Sequence, residues 1–331
     1  MADTNTIDPN LRPKNLQTYI GQQNVRKTLS VFIEAVKNRG EASEHILFYG
    51  PPGIGKTTLA HIIANELTGD IKITSGTALS KSGDLAAILT NLQDRDVLFI
   101  DEIHRLPKNI EEMLYPVMEE YSLDIVIGKG PSARTVRLPV PKITIVAATT
   151  RLALLSAPMR DRFGLLLRLD YYTDSEMEEI VNRSSQLMSV PLTKQSIKEI
   201  AKRSRRTPRI ANRILKRVRD TVEVEKLKEV DDTTLHKLFK ILEIDEKGLT
   251  KMDQSYIHAI GVKFHNQPVG VNTLSSTLGE DIQTIEEYIE PYLLQIGYIK
   301  KTSRGRVLTP QALAYLKLPT DSGVQQDPLL I

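Results

Sequence analysis

The stretch His45-Ile46-Leu47-Phe48-Tyr49-Gly50-Pro51-Pro52-Gly53-Ile54-Gly55-Lys56-Thr57-Thr58-Leu59-Ala60 constrains this chain more than any other. An apolar run ends in a glycine-rich turn and opens into a helix-forming run, the strand, loop and helix order of a phosphate-binding loop. Gly50 and Gly55 bound the loop, and Gly53 lets backbone N–H groups turn toward an anion. Lys56 is placed to reach the β- and γ-phosphates of a nucleotide and the Thr57 hydroxyl to ligate Mg²⁺. The positive end of the helix expected over 56–67 faces the same anion.

Length and composition set the bounds around that loop. At 331 residues the chain exceeds one typical domain, so two or three are expected, and 40% hydrophobic residues suffice for packed cores. A net charge of only +3 means that local basic patches must carry any nucleic-acid binding. The absence of Cys excludes disulfides, thiol nucleophiles and Cys-type zinc sites. No apolar run reaches the length of a membrane span, and the polar start Met1-Ala2-Asp3-Thr4 is unlike a signal sequence. The chain is therefore read as soluble and cytoplasmic, with no membrane partner. Residues 1–10 and 319–331 read as flexible tails.

A segment bounded by Pro and Gly, from Leu11-Arg12-Pro13 to Tyr19-Ile20-Gly21, precedes the first helix. Leu11 and Ile20 suit packing on a flat ring and Arg12 suits a phosphate; the alternative is a plain strap on the core. Val25, Leu29, Phe32, Ile33 and Val36 recur at helical spacing over 24–38, with Gly40 as a cap. The next chemical landmark is Val97-Leu98-Phe99-Ile100-Asp101-Glu102. Four apolar residues in a row suit a strand buried on both faces of a parallel sheet, and the two acids fall at its carboxyl end, where such sheets bind ligands. Asp101 would hold Mg²⁺ and Glu102 would polarise the attacking water. Another buried strand, 143–148, ends in Thr149-Thr150-Arg151, where either hydroxyl is placed to sense the γ-phosphate. Arg160 and Arg162 flank Asp161 before Gly164, and in an oligomer one of them could reach a neighbour's nucleotide.

Between the two loaded strands, 123–127 and 134–138 read as a hairpin around Gly128-Lys129-Gly130-Pro131-Ser132. Leu123, Ile125 and Ile127 alternate onto one face, and Val136 and Leu138 extend the apolar set. An exposed apolar ribbon implies a partner; the alternative is that both faces pack inside.

Past Tyr171-Tyr172 the pattern becomes helical. Thr173-x-x-Glu176 is a capping box opening a helix. A second helix covers 194–204. A third begins with Thr207 as N-cap and Pro208 at its first position. Arg209 sits in that first turn, where a cation opposes the helix dipole, so a ligand phosphate is its expected partner. The remaining cations among the nine basic residues of 202–219 read as a solvated face. A helix from Asp231-Asp232 to Leu242 and a linker at 245–248 follow. Helical patterns over 252–264, 271–278 and 281–296 then lead to a basic ribbon, 298–308, which is a winged-helix order. The third of these helices carries Glu280, Asp281, Glu286, Glu287 and Glu290 and would repel phosphates, so the wing, with Lys300, Lys301, Arg304 and Arg306, is the expected DNA contact.

Taken together, the blocks 50–60, 98–106, 148–164 and 206–213, with Thr302-Ser303-Arg304-Gly305-Arg306, resemble the RuvB family of AAA+ ATPases, bacterial motors of Holliday-junction branch migration. The resemblance implies an α/β AAA+ P-loop core, a parallel sheet with flanking helices, over 1–171, a small helical lid over 172–244 and a winged-helix head over 245–331. It implies an ATP-dependent DNA helicase working in recombination and repair, a homo-hexameric ring around duplex DNA at Holliday junctions, a RuvA-like junction-binding partner and, indirectly, a RuvC-like resolvase. By that resemblance Gly53, Gly55, Lys56, Thr57 and Thr58 bind ATP or ADP, and Thr57 and Asp101 bind Mg²⁺. Glu102 orients the water, Thr149 or Thr150 is the first sensor, Arg162 the arginine finger and Arg209, beside Pro208, the second sensor. Leu11, Arg12, Ile20 and Tyr172 surround the adenine, Arg304 contacts DNA and the hairpin meets the partner. Ala147 stands where the family often has Gly, and Thr77 where Pro is common. A sequence-reading regulator would share the loop and the wing, but the acidic third helix argues against base readout. A clamp-loader-like factor would lack a terminal wing.

Overall fold

The computed structural model describes residues 9–40, 42–127 and 134–319. Both sequence tails, apart from their innermost residues, and the hairpin tip lie outside these. The chain folds into two compact units, one up to Val230 and one from Asp231.

The first unit is built on a parallel sheet of β1 (Ile46–Tyr49), β2 (Ile71–Ser75), β3 (Val97–Asp101), β6 (Thr144–Thr149) and β7 (Leu165–Arg168), in the order β2-β3-β6-β1-β7. The continuous apolar runs of β1, β3 and β6 occupy its centre and are buried on both faces, as parallel strands covered by helices must be. Exposed Ile73 and Leu166 lie on the edge strands. The flanking helices are α1 (Gln23–Arg39), α2 (Lys56–Leu67), α3 (Ser82–Leu89), α4 (Lys108–Glu120) and α5 (Ala157–Asp161). Val25, Leu29, Ile33 and Val36 of α1 are buried, Phe32 only half. Register pairs Tyr49 with Thr149, Ile100 with Ala147 and Ser75 with Asp101, so the glycine loop, the acids and the threonines emerge side by side at the carboxyl ends.

The insertion forms its own two-stranded sheet, β4 (Ser122–Ile127) against β5 (Arg134–Pro139). Register places Leu123 opposite Leu138 and Ile125 opposite Val136 on one face. The expectation of an outward apolar ribbon fails at the root of this face. Leu123 is fully buried in the central apolar cluster with Leu114 and Val117 of α4, and Ile125 and Leu138 pack against the same cluster. The cause is the tight exit from α4, which lays the first residues of β4 back on that helix. Toward the tip the face opens, and Val136 is 38% exposed. The side chain of Ile127 lies outside the described residues. Arg137, on the opposite face, bridges Asp124 (2.9 Å) and Glu120 (2.9 Å).

The unit closes with α6 (Asp174–Leu187), α7 (Lys194–Arg203) and α8 (Pro208–Glu225). Thr173 and Glu176 form the capping box of α6. Thr207 holds the N-cap position of α8, but its hydroxyl donates to the Ser204 carbonyl (3.1 Å) rather than capping the helix. The basic run is not wholly a solvated face. Arg203 and Arg205 are buried at the α7–α8 turn, where Arg203 pairs with Glu199 one turn back.

The second unit contains α9 (Asp232–Ile241), α10 (Lys251–His258), α11 (Val271–Leu278), a third head helix, the wing and α14 (Pro310–Tyr315). The expected helix over 252–264 is α-helical only through His258 and continues as a π turn, Ala259–Lys263. There a Cβ on Gly261 would come within 2.8 Å of Leu308 and Leu316 side chains. The third helix runs as α12 (Ile282–Thr284), a π turn (Ile285–Ile289) and α13 (Glu290–Gln295), with the break just before Pro291. Proline has no N–H for the helical ladder and crowds the preceding turn, so an extra residue is accommodated there. The wing is β8 (Ile299–Thr302) against β9 (Gly305–Leu308).

Candidate functional site

The glycine loop meets α2 at Gly55, whose φ of 105° and left-handed backbone suit only glycine. A Cβ there would lie 2.7 Å from the Tyr19 hydroxyl. No side chain caps α2, so the amides of its first turn, at Lys56, Thr57 and Thr58, face the loop as an anion site. Lys56 Nζ donates to the carbonyls of Gly50 (2.9 Å) and Pro51 (2.7 Å). Burial pulls its ammonium down to about 8, while Glu102 and Asp101 pull in the opposite direction.

Asp101 ends β3 and accepts the Glu102 amide (3.0 Å). Burial, and then the neighbouring Glu102 carboxylate, raise its pKa above the ordinary value. Glu102 itself has a left-handed backbone, φ 48°, which turns its carboxylate across the strand ends. That carboxylate accepts the Thr150 hydroxyl (3.2 Å) and lies 3.3 Å from His104 Nδ1. The Thr149 hydroxyl is fully buried, contacts His104 Nδ1 (2.9 Å) and accepts the Arg151 amide (2.9 Å). Of the two threonines only Thr150 thus turns its hydroxyl to Glu102. Thr57 and Asp101 line one pocket with Lys56, and a hydroxyl plus a single carboxylate fits Mg²⁺, which takes few protein oxygens and completes its shell with phosphates and water.

The same pocket continues between the N-terminal strap and the lid helices. Leu11, Arg12, Ile20, Tyr172, Pro208 and Arg209 all line it. The Leu11 carbonyl accepts Arg183 Nη1 (3.1 Å). Arg12 reaches His61 through Nη1, while its buried Nε has no partner among the described residues. Tyr172 and Tyr19 share a hydrogen bond (2.9 Å), and the Tyr172 hydroxyl donates to the Ile54 carbonyl (2.9 Å). Burial pushes the Tyr172 phenol up to about 12. The Arg209 amide donates to the Gly53 carbonyl (3.3 Å), so the start of α8 rests on the phosphate loop.

Arg162 is not among the residues lining this pocket. It lies over the Tyr115 ring (4.2 Å to the centroid), pairs with Glu119 (3.1 Å) and donates to the Pro158 carbonyl (2.7 Å), its buried Nε without a hydrogen-bond partner among the described residues. Several residues escaped sequence reasoning. Tyr19, Arg183 and Asn212 line the pocket and His104 backs Glu102. Only His104, two residues past the acids, carried a positional signal.

The wing departs from expectation. Arg306 donates through Nε to Glu290 (2.7 Å) and through Nη2 to Glu286 (3.0 Å), and Lys301 Nζ lies 2.5 Å from Glu290. Both cations are therefore engaged within the head, because Glu290 is a buried acid that requires counter-charge rather than part of an outward acidic stripe. Burial pushes the Glu290 carboxyl up, yet hydrogen bonds from Arg306, Lys301 and Tyr256 outweigh it and hold the pKa below the ordinary range. Lys300 and Arg304 are exposed.

Comparison with known families accounts for nearly the whole chain. Residues 11–169 match the family model of the Holliday junction DNA helicase RuvB P-loop domain, 172–245 the RuvB AAA lid domain and 246–317 the RuvB C-terminal winged helix domain. Among solved structures, the Holliday junction branch migration motor RuvB of Thermotoga maritima is 47% identical, with a TM-score of 0.83 over 94% of this chain and 99% of that one. Two point mutants of that protein, also 47% identical, align over 93% of this chain and 98% and 99% of theirs, with TM-scores of 0.84 and 0.85.

Proposed function

This chain belongs to the RuvB family of Holliday-junction DNA helicases, and from that premise we propose how its residues drive branch migration with ATP. Lys56 bridges the β- and γ-phosphates, and the uncapped start of α2 receives the anion. Thr57 and Asp101 would hold Mg²⁺, which supplies charge neutralisation at the β- and γ-oxygens. Glu102 takes a proton from the attacking water, and Thr150, hydrogen-bonded to Glu102, is the first sensor. Tyr172, Leu11, Arg12 and Ile20 hold the adenine, while Pro208 and Arg209 report the phosphates to the lid.

Arg162 acts in trans. Its guanidinium rests on Tyr115 and Glu119 of α4 and is not among the residues lining its own pocket, which supports a role in a neighbour's site. That requires a ring, here a homo-hexamer around duplex DNA. The functional domains are 1–171, 172–244 and 245–331. Lys300 and Arg304 meet the phosphate backbone without reading sequence. The outer part of the hairpin docks a RuvA-like junction binder, a RuvC-like resolvase acts on the product, and the work is done in the cytoplasm in recombination and repair.

The observation that carries this reading is the meeting of Lys56, Asp101, Glu102 and Thr150 around one glycine loop in a chain that also bears a winged-helix head. ATP turnover measured with four-way junction, with random linear duplex and with neither, each with and without the junction-binding partner, tests it. Turnover should be highest with junction and partner together, whatever the sequence of the arms. Turnover indifferent to DNA, or raised by one sequence only, would overturn it.

A further inference from the structure

We propose that Glu290 is the positioning residue for the head's contact with DNA: its buried carboxylate draws Arg306 inward, holds the ammonium of Lys301, fixes the wing against the third head helix and leaves Lys300 and Arg304 facing outward. The inference rests on the reading of the wing as the DNA contact.

Glu290 is fully buried, at 0% exposure, beside the apolar cluster of the head that holds Tyr256, Ile289 and Leu293. A lone carboxylate there is strongly disfavoured, so its partners are held as firmly as it is. Its Oε1 accepts the Tyr256 hydroxyl (2.8 Å) and Arg306 Nε (2.7 Å), and its Oε2 lies 2.5 Å from Lys301 Nζ. Lys301 and Arg306 stand directly opposite each other on the two strands of the wing, so one carboxylate clamps both strands from the same face. That face continues into the buried pair Ile299 and Leu308. Lys300, one residue along, points to the other face, and Arg304 sits in the turn.

A second anchor acts on the main chain of the same residue. The Arg306 amide donates to the Val269 carbonyl (2.8 Å), and the Arg306 carbonyl accepts the Val269 amide (3.0 Å). Gly305 lies so close to Val269 that a Cβ would come within 2.5 Å of its backbone. The wing is therefore pinned at Arg306 on two sides, by backbone to Val269 and by side chain to Glu290. Arg306 and Lys301 together balance Glu286 and Glu290, so the inner cluster adds no net charge to attract a polyanion. Its contribution is the direction in which the outer two cations point.

Charge alone and positioning predict opposite signs, and that decides the test. The full chain, as wild type, Glu290→Gln, Tyr256→Phe and Arg304→Ala, is titrated onto labelled random-sequence linear duplex over a range of salt, with DNA-independent ATPase and thermal melting of the head as controls. Removing an acid near a DNA-binding wing would by simple electrostatics tighten binding. Positioning predicts that Glu290→Gln weakens it by about tenfold, with a flatter salt dependence as phosphate contacts are lost, at unchanged basal ATPase. Tyr256→Phe keeps the carboxylate charge and removes one of its hydrogen bonds, so it should lose affinity in the same direction but less. A head that had merely lost stability would bind normally well below its melting temperature. If Glu290→Gln melts at the assay temperature, Tyr256→Phe decides the matter, and unchanged or tighter binding by it overturns the proposal. Arg304→Ala that binds like wild type overturns the wing reading, and this inference with it. Arg304→Ala that binds weakly beside Glu290→Gln that binds as well as wild type or better overturns this inference alone.

Discussion

In the proposed mechanism Lys56 is the residue on which the phosphate chemistry turns, and its protonation gives a direct handle on it. In the nucleotide-free chain burial brings its ammonium down to about 8. Bound phosphates hold the same group charged, so binding above that pH must take up a proton. The sign follows from linkage: affinity is nearly constant below about 8 and falls with rising pH above it, by up to about tenfold per pH unit. Titration of a fluorescent ADP analogue from neutral to alkaline pH checks this. Lys56→Ala should bind weakly without that slope, and a flat wild-type affinity through the alkaline range would refute the account. Lys56 was legible from sequence because a phosphate loop is a local object, its glycines and lysine within a few residues of each other. The state of Arg306 was not legible. Its charge was visible, but its partner Glu290 lies sixteen residues away on another element and looked like one more outward acid.

At the scale of elements the same division holds. The central strands, the helices of the lid and the capping box at Thr173 could be read because periodicity and caps are properties of neighbours in sequence, whereas β7 and α4 were not read. The π turn at 285–289 could not be read, since it depends on how Pro291 is seated within a packed helix. The hairpin shows both sides. Alternation gave its apolar face, but the burial of its root depends on α4, which the alternation does not record. Leu123→Ala should therefore destabilise the chain by about 2–5 kcal/mol, as for a leucine removed from a filled core. Val136→Asp, at a half-open position, should leave melting nearly unchanged and weaken capture of the junction-binding partner. Thermal unfolding and pull-down on the two variants test this. An undisturbed melting temperature for Leu123→Ala, or full partner capture by Val136→Asp, would contradict it.

For the whole molecule, the claim is that one chain joins an ATPase site, a finger for a neighbour's site and a DNA-facing head into a motor. Arg162 is engaged by Glu119 and Tyr115 and lies outside its own subunit's pocket, and the proposed finger role assigns turnover to an assembly. That assembly has no signature in composition: a net charge of +3 conceals a wing whose outward cations are few but directed. The most direct test is conversion of a labelled four-way junction with homologous arms into two duplexes, followed in real time with the junction-binding partner and ATP. The wild-type chain should convert the junction continuously while ATP lasts, and Glu102→Gln should bind nucleotide and junction without converting it. ATP hydrolysis by the wild type with no junction conversion, or conversion by Glu102→Gln at the wild-type rate, would contradict the account.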